Sequence, residues 1–350
     1  MVRVGVNGFG RIGRLTFRFC WEISELEVVH INEITGGAET AAYLVKYDSV
    51  HGTWNHSAKA TSATSIEIDG KTLSFSQHED FTQVDWRALG VELVIECTGK
   101  FVKVKELQPY IDVCGVKRVI VSAPVKEPSV LNVVVGCNDD KLESKHVICT
   151  AASCTTNCIA PIIKVIQAQL GIEKGMITTV HNITGTQSLV DMPNEKKSDL
   201  RRARSGMLNL APTSTGSATA VAEVFPELKG KLNGHAIRVP MLNSSITDMV
   251  FVVSRNTSVE EVNAMLLEAS EPGSELAETT EHGAILGYET TPLVSTDYVN
   301  DTRSTIVDAP STMVVMGNMV KIYAWYDNEV GYSMRTAELS RLVARKFLGA

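Results

Sequence analysis

At 350 residues the chain exceeds what one hydrophobic core usually organises, so two domains are expected, and a 44% hydrophobic share is enough to fill both. A net charge of −7 argues against general binding to nucleic acid or an anionic membrane, and no apolar run approaches the ~20 residues of a membrane-spanning helix. Seven scattered cysteines without paired spacing read as reduced thiols, with neither a disulfide frame nor a metal site. The first residues enter a strand pattern with no signal-peptide layout, so a cytoplasmic location is expected.

In chain order, the first predicted strand, Val2 to Val6, runs into Asn7-Gly8-Phe9-Gly10-Arg11-Ile12-Gly13 and then a helix reaching about Cys20. Strand, G-x-G-x-x-G and helix together make the dinucleotide fingerprint. Gly8 permits a tight turn, Gly10 lets backbone approach a pyrophosphate, and Gly13 lets helix and strand pack closely. A second strand, Leu26 to Asn32, ends at Glu33, an acid placed to accept from ribose hydroxyls and to repel a 2′-phosphate, which favours NAD over NADP. Helices follow near 37–47 and 103–113, with a β-hairpin between Ser65 and Ser76 turning at Asp69-Gly70-Lys71. Further strands are expected at 93–96, 118–121, 132–135 and 146–149. This alternation implies an α/β fold, a doubly wound, mostly parallel sheet with its ligand at the carboxyl ends of the strands. Thr98, Gly99 and Ser122 stand at such ends and are assigned to the cofactor.

The next stretch, Ser153-Cys154-Thr155-Thr156-Asn157-Cys158, precedes an apolar series at helical spacing, Ile159, Ile162, Ile163 and Ile166. Ser153 suits an N-cap, which puts Cys154 in the first turn, where unpaired N–H groups favour an anion and lower a thiol pKa. Pro161 predicts a kink or an irregular turn. Cys20, Cys97, Cys114, Cys137 and Cys149 sit in or beside apolar runs and read as core. A strand over 176–180 ends at His181, a candidate proton acceptor for the thiol. Lys196-Lys197 and Arg201-Arg202-Ala203-Arg204 leave a solvated loop, an anion site and a subunit contact all open. Pro212-Thr213-Ser214-Thr215-Gly216-Ser217 reads as a hydroxyl-rich turn before a helix near Ala218, able to donate to a phosphate. Arg238, a charge among apolar strand neighbours, needs an anionic partner. Strands at 246–254, 292–295, 304–307, 312–316 and 319–326, a helix at 258–270 and a closing helix near 332–347 complete an α+β domain with a large mixed sheet. The expected division is 1–153 for the dinucleotide, completed by 327–350, and 154–326 for catalysis.

With these residues assembled, the chain resembles the phosphorylating glyceraldehyde-3-phosphate dehydrogenase family over essentially its full length. The resemblance is carried by the glycine motif extended to Arg14, by Ala152-Ser153-Cys154-Thr155-Thr156-Asn157-Cys158, by Pro212-Thr213-Ser214-Thr215-Gly216, and by Trp325-Tyr326-Asp327-Asn328-Glu329. It implies oxidation of glyceraldehyde 3-phosphate with NAD, Cys154 attacking the aldehyde, His181 taking the proton, and a thioester released by inorganic phosphate. It further implies that Ser153, Thr155, Thr215 and Gly216 bind the attacking phosphate, that Thr184 and Arg238 hold the C3 phosphate, that Asn328 fixes the nicotinamide amide, and that Tyr332 packs on its ring. A homotetramer is implied as well.

The chain departs from the family at several points. Glu33 followed by Ile-Thr-Gly-Gly resembles the erythrose-4-phosphate dehydrogenase relatives, which lack the Thr-Ser-Thr-Gly turn kept here. Thr186 replaces an acid near the C3 phosphate, Glu79 stands where an adenine-facing Arg is common, and a short insertion falls between Pro193 and Asp199. The segments at 32–42, 231–236 and 308–312 are most similar to dehydrogenases encoded beside arsenate-resistance efflux carriers. In that branch arsenate replaces phosphate and 1-arseno-3-phosphoglycerate is exported. Erythrose-4-phosphate dehydrogenase and a non-catalytic RNA-binding relative are the alternatives, the second resting on 201–204.

Overall fold

The computed structural model describes residues 1–193, 199–277 and 284–350. The chain divides into two compact units, one of Met1–Ser153 with Ser333–Ala350, the other Cys154–Tyr332.

The first unit opens with β1 (Val2–Asn7), α1 (Arg11–Glu22), β2 (Leu26–Asn32) and α2 (Gly37–Lys46). Three strands follow, β3 (Ala58–Ser62), β4 (Ser65–Ile68) and β5 (Lys71–Ser76). Then come β6 (Leu93–Glu96), the short helices α3 (Val104–Leu107) and α4 (Pro109–Asp112), β7 (Arg118–Val121), β8 (Leu131–Asn132) and β9 (Ile148–Thr150). They form one nine-stranded sheet in the order β3-β4-β5-β2-β1-β6-β7-β9-β8, parallel from β5 onward. Strands buried on both faces need continuous apolar sequence, and Leu93, Val94 and Ile95 of β6 are all fully buried. A core of Phe81, Trp86, Leu107, Tyr110 and Val119 packs behind them. Asp69 and Gly70 both adopt positive φ, the backbone of a tight hairpin turn between β4 and β5.

Two sequence expectations fail in this unit. Edge strand β3 was not foreseen, because Ala-Lys-Ala-Thr-Ser carries no apolar alternation. The strand expected over 132–135 ends at Asn132, since side chains take over from the ladder: Val134 N donates to Asn138 Oδ1 and Asn138 Nδ2 donates to Asn132 O. The C-terminal segment is tied into the same unit by Glu25, which accepts from Arg341 and Arg345.

The second unit begins with α5 (Cys154–Leu170), which stays helical through Pro161. It continues with β10 (Ile172–His181), β11 (Ala211–Ser214), α6 (Ser217–Val224), β12 (Leu232–Arg238), β13 (Ser245–Val253) and α7 (Val259–Ser270). After these come β14 (Leu286–Glu289), β15 (Thr305–Asp308), β16 (Met313–Val315), β17 (Met319–Tyr326) and α8 (Val330–Val343), whose greater part, from Ser333 on, belongs to the first unit. The sheet order is β11-β12-β10-β13-β17-β15-β14, with β16 on β17, and it mixes parallel and antiparallel pairs. Of the turn expected over Pro212 to Ser217, Pro212-Thr213-Ser214 is instead part of strand β11, paired antiparallel with β12. The strand expected at 292–295 is instead loop entering a 3₁₀ turn, with the strand earlier at β14; Pro292 offers no N–H to a ladder. The insertion expected at 194–198, with Lys196 and Lys197, lies outside the described residues.

Among the described residues no helix is long and apolar enough to cross a membrane, and no cluster of His, Cys, Asp or Glu could hold a metal.

Candidate active site

The dinucleotide loop is shaped by contacts that only glycine tolerates. Gly8 has φ +89°, and a Cβ there would meet the Thr98 backbone at 2.6 Å; at Gly13 it would meet Gly8 O at 2.1 Å. A Cβ on Gly10 would meet nothing within 4 Å, so this glycine borders open space at the N-terminus of α1, where helix N–H groups attract phosphate. Glu33 accepts from Phe9 N at 2.6 Å and from Thr35 N at 3.0 Å, which fixes the acid at the end of β2 beside this loop. These residues fit an adenine dinucleotide. Arg11 and Ile12 lie in the first turn of α1, and the Arg11 guanidinium pairs with Asp48 at 2.5 Å; against the cost of burial, hydrogen bonds from His51 N, Arg11 and Val50 N hold that carboxyl down at about 2. Glu79 pairs with Lys100 at 2.9 Å.

Thr98 is set by a buried acid absent from the sequence reading. Glu96 accepts from Thr98 N at 2.7 Å and from its hydroxyl, from Asn7 Nδ2 at 2.7 Å and from Tyr110 Oη at 2.7 Å. Asn32 Nδ2 donates to Asn7 Oδ1, Ser76 Oγ donates to Asn32 Oδ1, and His30 Nε2 lies 2.8 Å from Ser76 Oγ. A continuous polar chain therefore links His30, under the hairpin, to the Thr98 turn. Gly99 follows with φ +66°, and Ser122 N donates to Glu96 O. The signal in sequence was a carboxylate ending an otherwise apolar strand.

In the second unit the parallel register of β10 and β12 sets His181 directly beside Arg238. Cys154, the first residue of α5, brings Sγ to 3.6 Å from His181 Nε2 and 4.0 Å from Thr155 Oγ1. Arg238 Nη1 donates to His181 Nδ1 at 2.7 Å and to Asn182 O at 3.0 Å, while Nδ1 is 2.9 Å from the same carbonyl. Burial, reinforced by the Arg238 charge, pushes the imidazole down to about 3. Burial also pushes the Cys154 thiol above its ordinary value, with Arg238 and the Thr155 hydrogen bonds acting in opposition. This corrects the expectation of a thiol lowered by the helix start: desolvation outweighs the favourable dipole. Tyr326 was missed as well. Its buried hydroxyl is 3.0 Å from Thr155 Oγ1 and 2.8 Å from Thr179 Oγ1, bracing the thiol's helix against β10. The inward alternation of β17, which buries Ile322, Ala324 and Tyr326, was the available signal.

Thr184 Oγ1 is 2.9 Å from Thr186 Oγ1, which accepts from Arg202 at 3.4 Å. Arg201 donates to Pro212 O and Arg204 pairs with Asp191, so all three arginines of the basic run have partners within the chain. Thr215 and Gly216 precede α6, where Ser217 N donates to Thr215 Oγ1; β11 leads into this turn with Ala211 opposite Arg238. Ser153 immediately precedes α5. Asn328 is buried and accepts from Ser245 Oγ at 3.1 Å, and Tyr332 is buried in the first turn of α8. Cys20, Cys114 and Cys149 are buried; Cys97 and Cys137 are only half-buried.

Comparison with known proteins gives one coherent result. Residues 2–104 match the family model described as glyceraldehyde 3-phosphate dehydrogenase, NAD binding domain, and residues 153–328 match its C-terminal domain. The chain is 57% identical over 344 residues to glyceraldehyde-3-phosphate dehydrogenase 3 of Nostoc sp., covering 98% of each. It is 46% identical to glyceraldehyde-3-phosphate dehydrogenase 1 of Bacillus cereus, covering 99% of this chain and 100% of that one. It is 42% identical to the chloroplastic glyceraldehyde-3-phosphate dehydrogenase A of Chlamydomonas reinhardtii, covering 99% and 90%.

Proposed function

The chain belongs to the glyceraldehyde-3-phosphate dehydrogenase family, and on that premise we propose that it oxidises glyceraldehyde 3-phosphate with NAD through a thioester on Cys154. The observation that carries this reading is the Cys154 Sγ to His181 Nε2 approach of 3.6 Å, with Arg238 on the far side of the ring. Gly8, Gly10, Arg11, Ile12, Gly13, Glu33, Thr98, Gly99 and Ser122 bind the cofactor, with Asn328 and Tyr332 at the nicotinamide. In this proposal 1–153 serves the dinucleotide and 154–326 catalysis; the expected C-terminal completion at 327–350 is shorter in the compact unit, which takes in Ser333–Ala350 and leaves 327–332 with the second unit. NAD, when bound, supplies the hydride acceptor for the oxidation.

Cys154 sulfur adds to the aldehyde carbon, and His181 Nε2 takes the proton released as the bond forms and the carbonyl is regenerated. Arg238 and Thr184 hold the C3 phosphate and so fix the carbonyl over the sulfur. Ser153, Thr155, Thr215 and Gly216 bind the second oxyanion, which attacks the thioester carbon and expels the Cys154 thiolate. Phosphate gives 1,3-bisphosphoglycerate and arsenate gives 1-arseno-3-phosphoglycerate. The segments at 32–42, 231–236 and 308–312 favour service in arsenate detoxification; the enzyme is placed in the cytoplasm and, with the family, as a homotetramer. Exposed Leu189, Val190, Met192, Leu200, Leu208 and Leu210 favour a subunit contact along that segment. The internal partners of Arg201, Arg202 and Arg204 weigh against an RNA-binding role.

The test is NADH formation from glyceraldehyde 3-phosphate with arsenate or phosphate at matched concentrations. A much higher kcat/KM with arsenate supports detoxification, and equal values remove the enzyme-level case for it. Faster turnover of erythrose 4-phosphate, independent of either oxyanion, would replace the reading with the erythrose-4-phosphate alternative.

A further inference from the structure

We propose that Ser245 is a positioning residue for the cofactor: its hydroxyl orients the Asn328 amide so that Nδ2, a donor, meets the carbonyl oxygen of the nicotinamide carboxamide. The proposal rests on the reading above that Asn328 fixes that carboxamide. It adds which edge of the amide is used and what holds it there.

β13 opens at Ser245, which stands opposite Tyr326 in the antiparallel register with β17, two residues before Asn328. Ser245 Oγ is 3.1 Å from Asn328 Oδ1 and 3.3 Å from Asn182 N. A main-chain N–H only donates, so the Asn182 bond uses a lone pair on Oγ and leaves the hydroxyl hydrogen to be placed. Ser245 is fully buried, and Asn328 Oδ1 is its one acceptor among the described residues. Turning the amide over would set Nδ2 against Oγ and strand that hydrogen in a site closed to water, which costs its full desolvation. The network therefore fixes the amide with Oδ1 toward Ser245 and Nδ2 turned away from it.

The backbone at Asn328 is held as firmly. Asp327 Oδ1 accepts from Glu329 N and Val330 N, and Oδ2 accepts from Asn243 Nδ2 and Asn300 N, all at 2.8 Å. Asn243 and Ser245 thus hold consecutive residues, the first through the Asp327 carboxylate, the second through the Asn328 amide. Ser244 between them has φ +65°, a sparsely populated conformation for a residue with a side chain and one that concentrates at ligand sites. An amide free to turn would offer a ligand either edge. A fixed one selects: it favours a ring substituent that accepts a hydrogen bond and disfavours one that only donates.

Calorimetric titration of the full-length protein tests this with two dinucleotides that differ from NAD only at the 3-position of the pyridine ring. The 3-acetylpyridine analogue keeps the carbonyl oxygen and lacks the amide hydrogens. The 3-aminopyridine analogue keeps N–H donors and lacks the carbonyl. The native chain should bind the acetyl analogue within about threefold of NAD and the amino analogue roughly tenfold or more weaker. The reverse order would overturn the proposal, with no variant needed. Ser245→Ala frees the amide to turn, which the carboxamide of NAD can follow and an acetyl group cannot. Its affinity for the acetyl analogue should fall about threefold relative to NAD. Ser245→Thr, which keeps the hydroxyl, should restore the native ratio. A serine that only supports the fold predicts equal weakening of both dinucleotides, and that result would sink the orienting role. Asn328→Ala separates the premise from the proposal. Undiminished NAD affinity there contradicts the nicotinamide assignment, whereas diminished affinity with an unchanged analogue ratio in Ser245→Ala contradicts the role of Ser245 alone.

Discussion

The two polar clusters of this protein are built on opposite rules. Around Glu96 every bond is made: four donor atoms from Asn7, Thr98 and Tyr110 converge on one buried carboxylate. Around His181 the bonds compete. Arg238 and the ring share one carbonyl, and Arg238 Nε, Asn182 Oδ1 and Thr213 Oγ1 are buried without partners among the described residues. A closed network holds a backbone in one shape, whereas an open one keeps donors and acceptors for a ligand. The first should therefore govern stability and the second should govern rate.

The sharpest way to break that contrast is Cys154→Ser. Turnover should fall by roughly 10⁴-fold or more, with thermal unfolding almost unchanged. A large loss of Tm would show that the open cluster also carries the fold. Glu96→Gln should do the reverse. It turns one acceptor oxygen into a donor facing donors, costing about 2–3 kcal/mol in chemical denaturation while the purified protein retains most of its kcat. A smaller effect comes from the far end of the same chain. Burial, with the nearby His78, pushes His30 down to about 4. Its folded value lies below its unfolded one, so the stability it contributes is complete above about pH 6.5 and is lost as pH falls toward 4. Between those limits His30→Gln should lose about 2 kcal/mol less than the native chain, measured by urea unfolding at both ends. Smallest of all, Thr213→Val removes a buried hydroxyl that has no partner among the described residues and should change stability by less than about 1 kcal/mol. A large cost would mean that this hydroxyl belongs to a closed network after all.

What could be read from sequence followed the range of the interaction. The glycine loop, the helix opening at Cys154 and the strand ending at His181 are local patterns, and each predicted element is present where spacing placed it. The pairing of His181 with Arg238 depends on the parallel register of β10 and β12, which no local pattern specifies. Tyr326 meets Thr155 across 171 residues for the same reason. The direction of the Cys154 shift was misjudged because a helix terminus is visible in sequence and desolvation is not. At 292–295 apolar residues suggested a strand, but Val294 is left exposed and the ladder forms at β14 instead.

The most direct test of the account is a rapid-mixing experiment with glyceraldehyde 3-phosphate and NAD in the absence of both phosphate and arsenate, followed by peptide mass spectrometry. The account predicts a burst of one NADH per chain, an acyl adduct on the Cys154 peptide, and steady turnover only once an oxyanion is added. Oxyanion-independent turnover, or a burst that survives in Cys154→Ser, would contradict it.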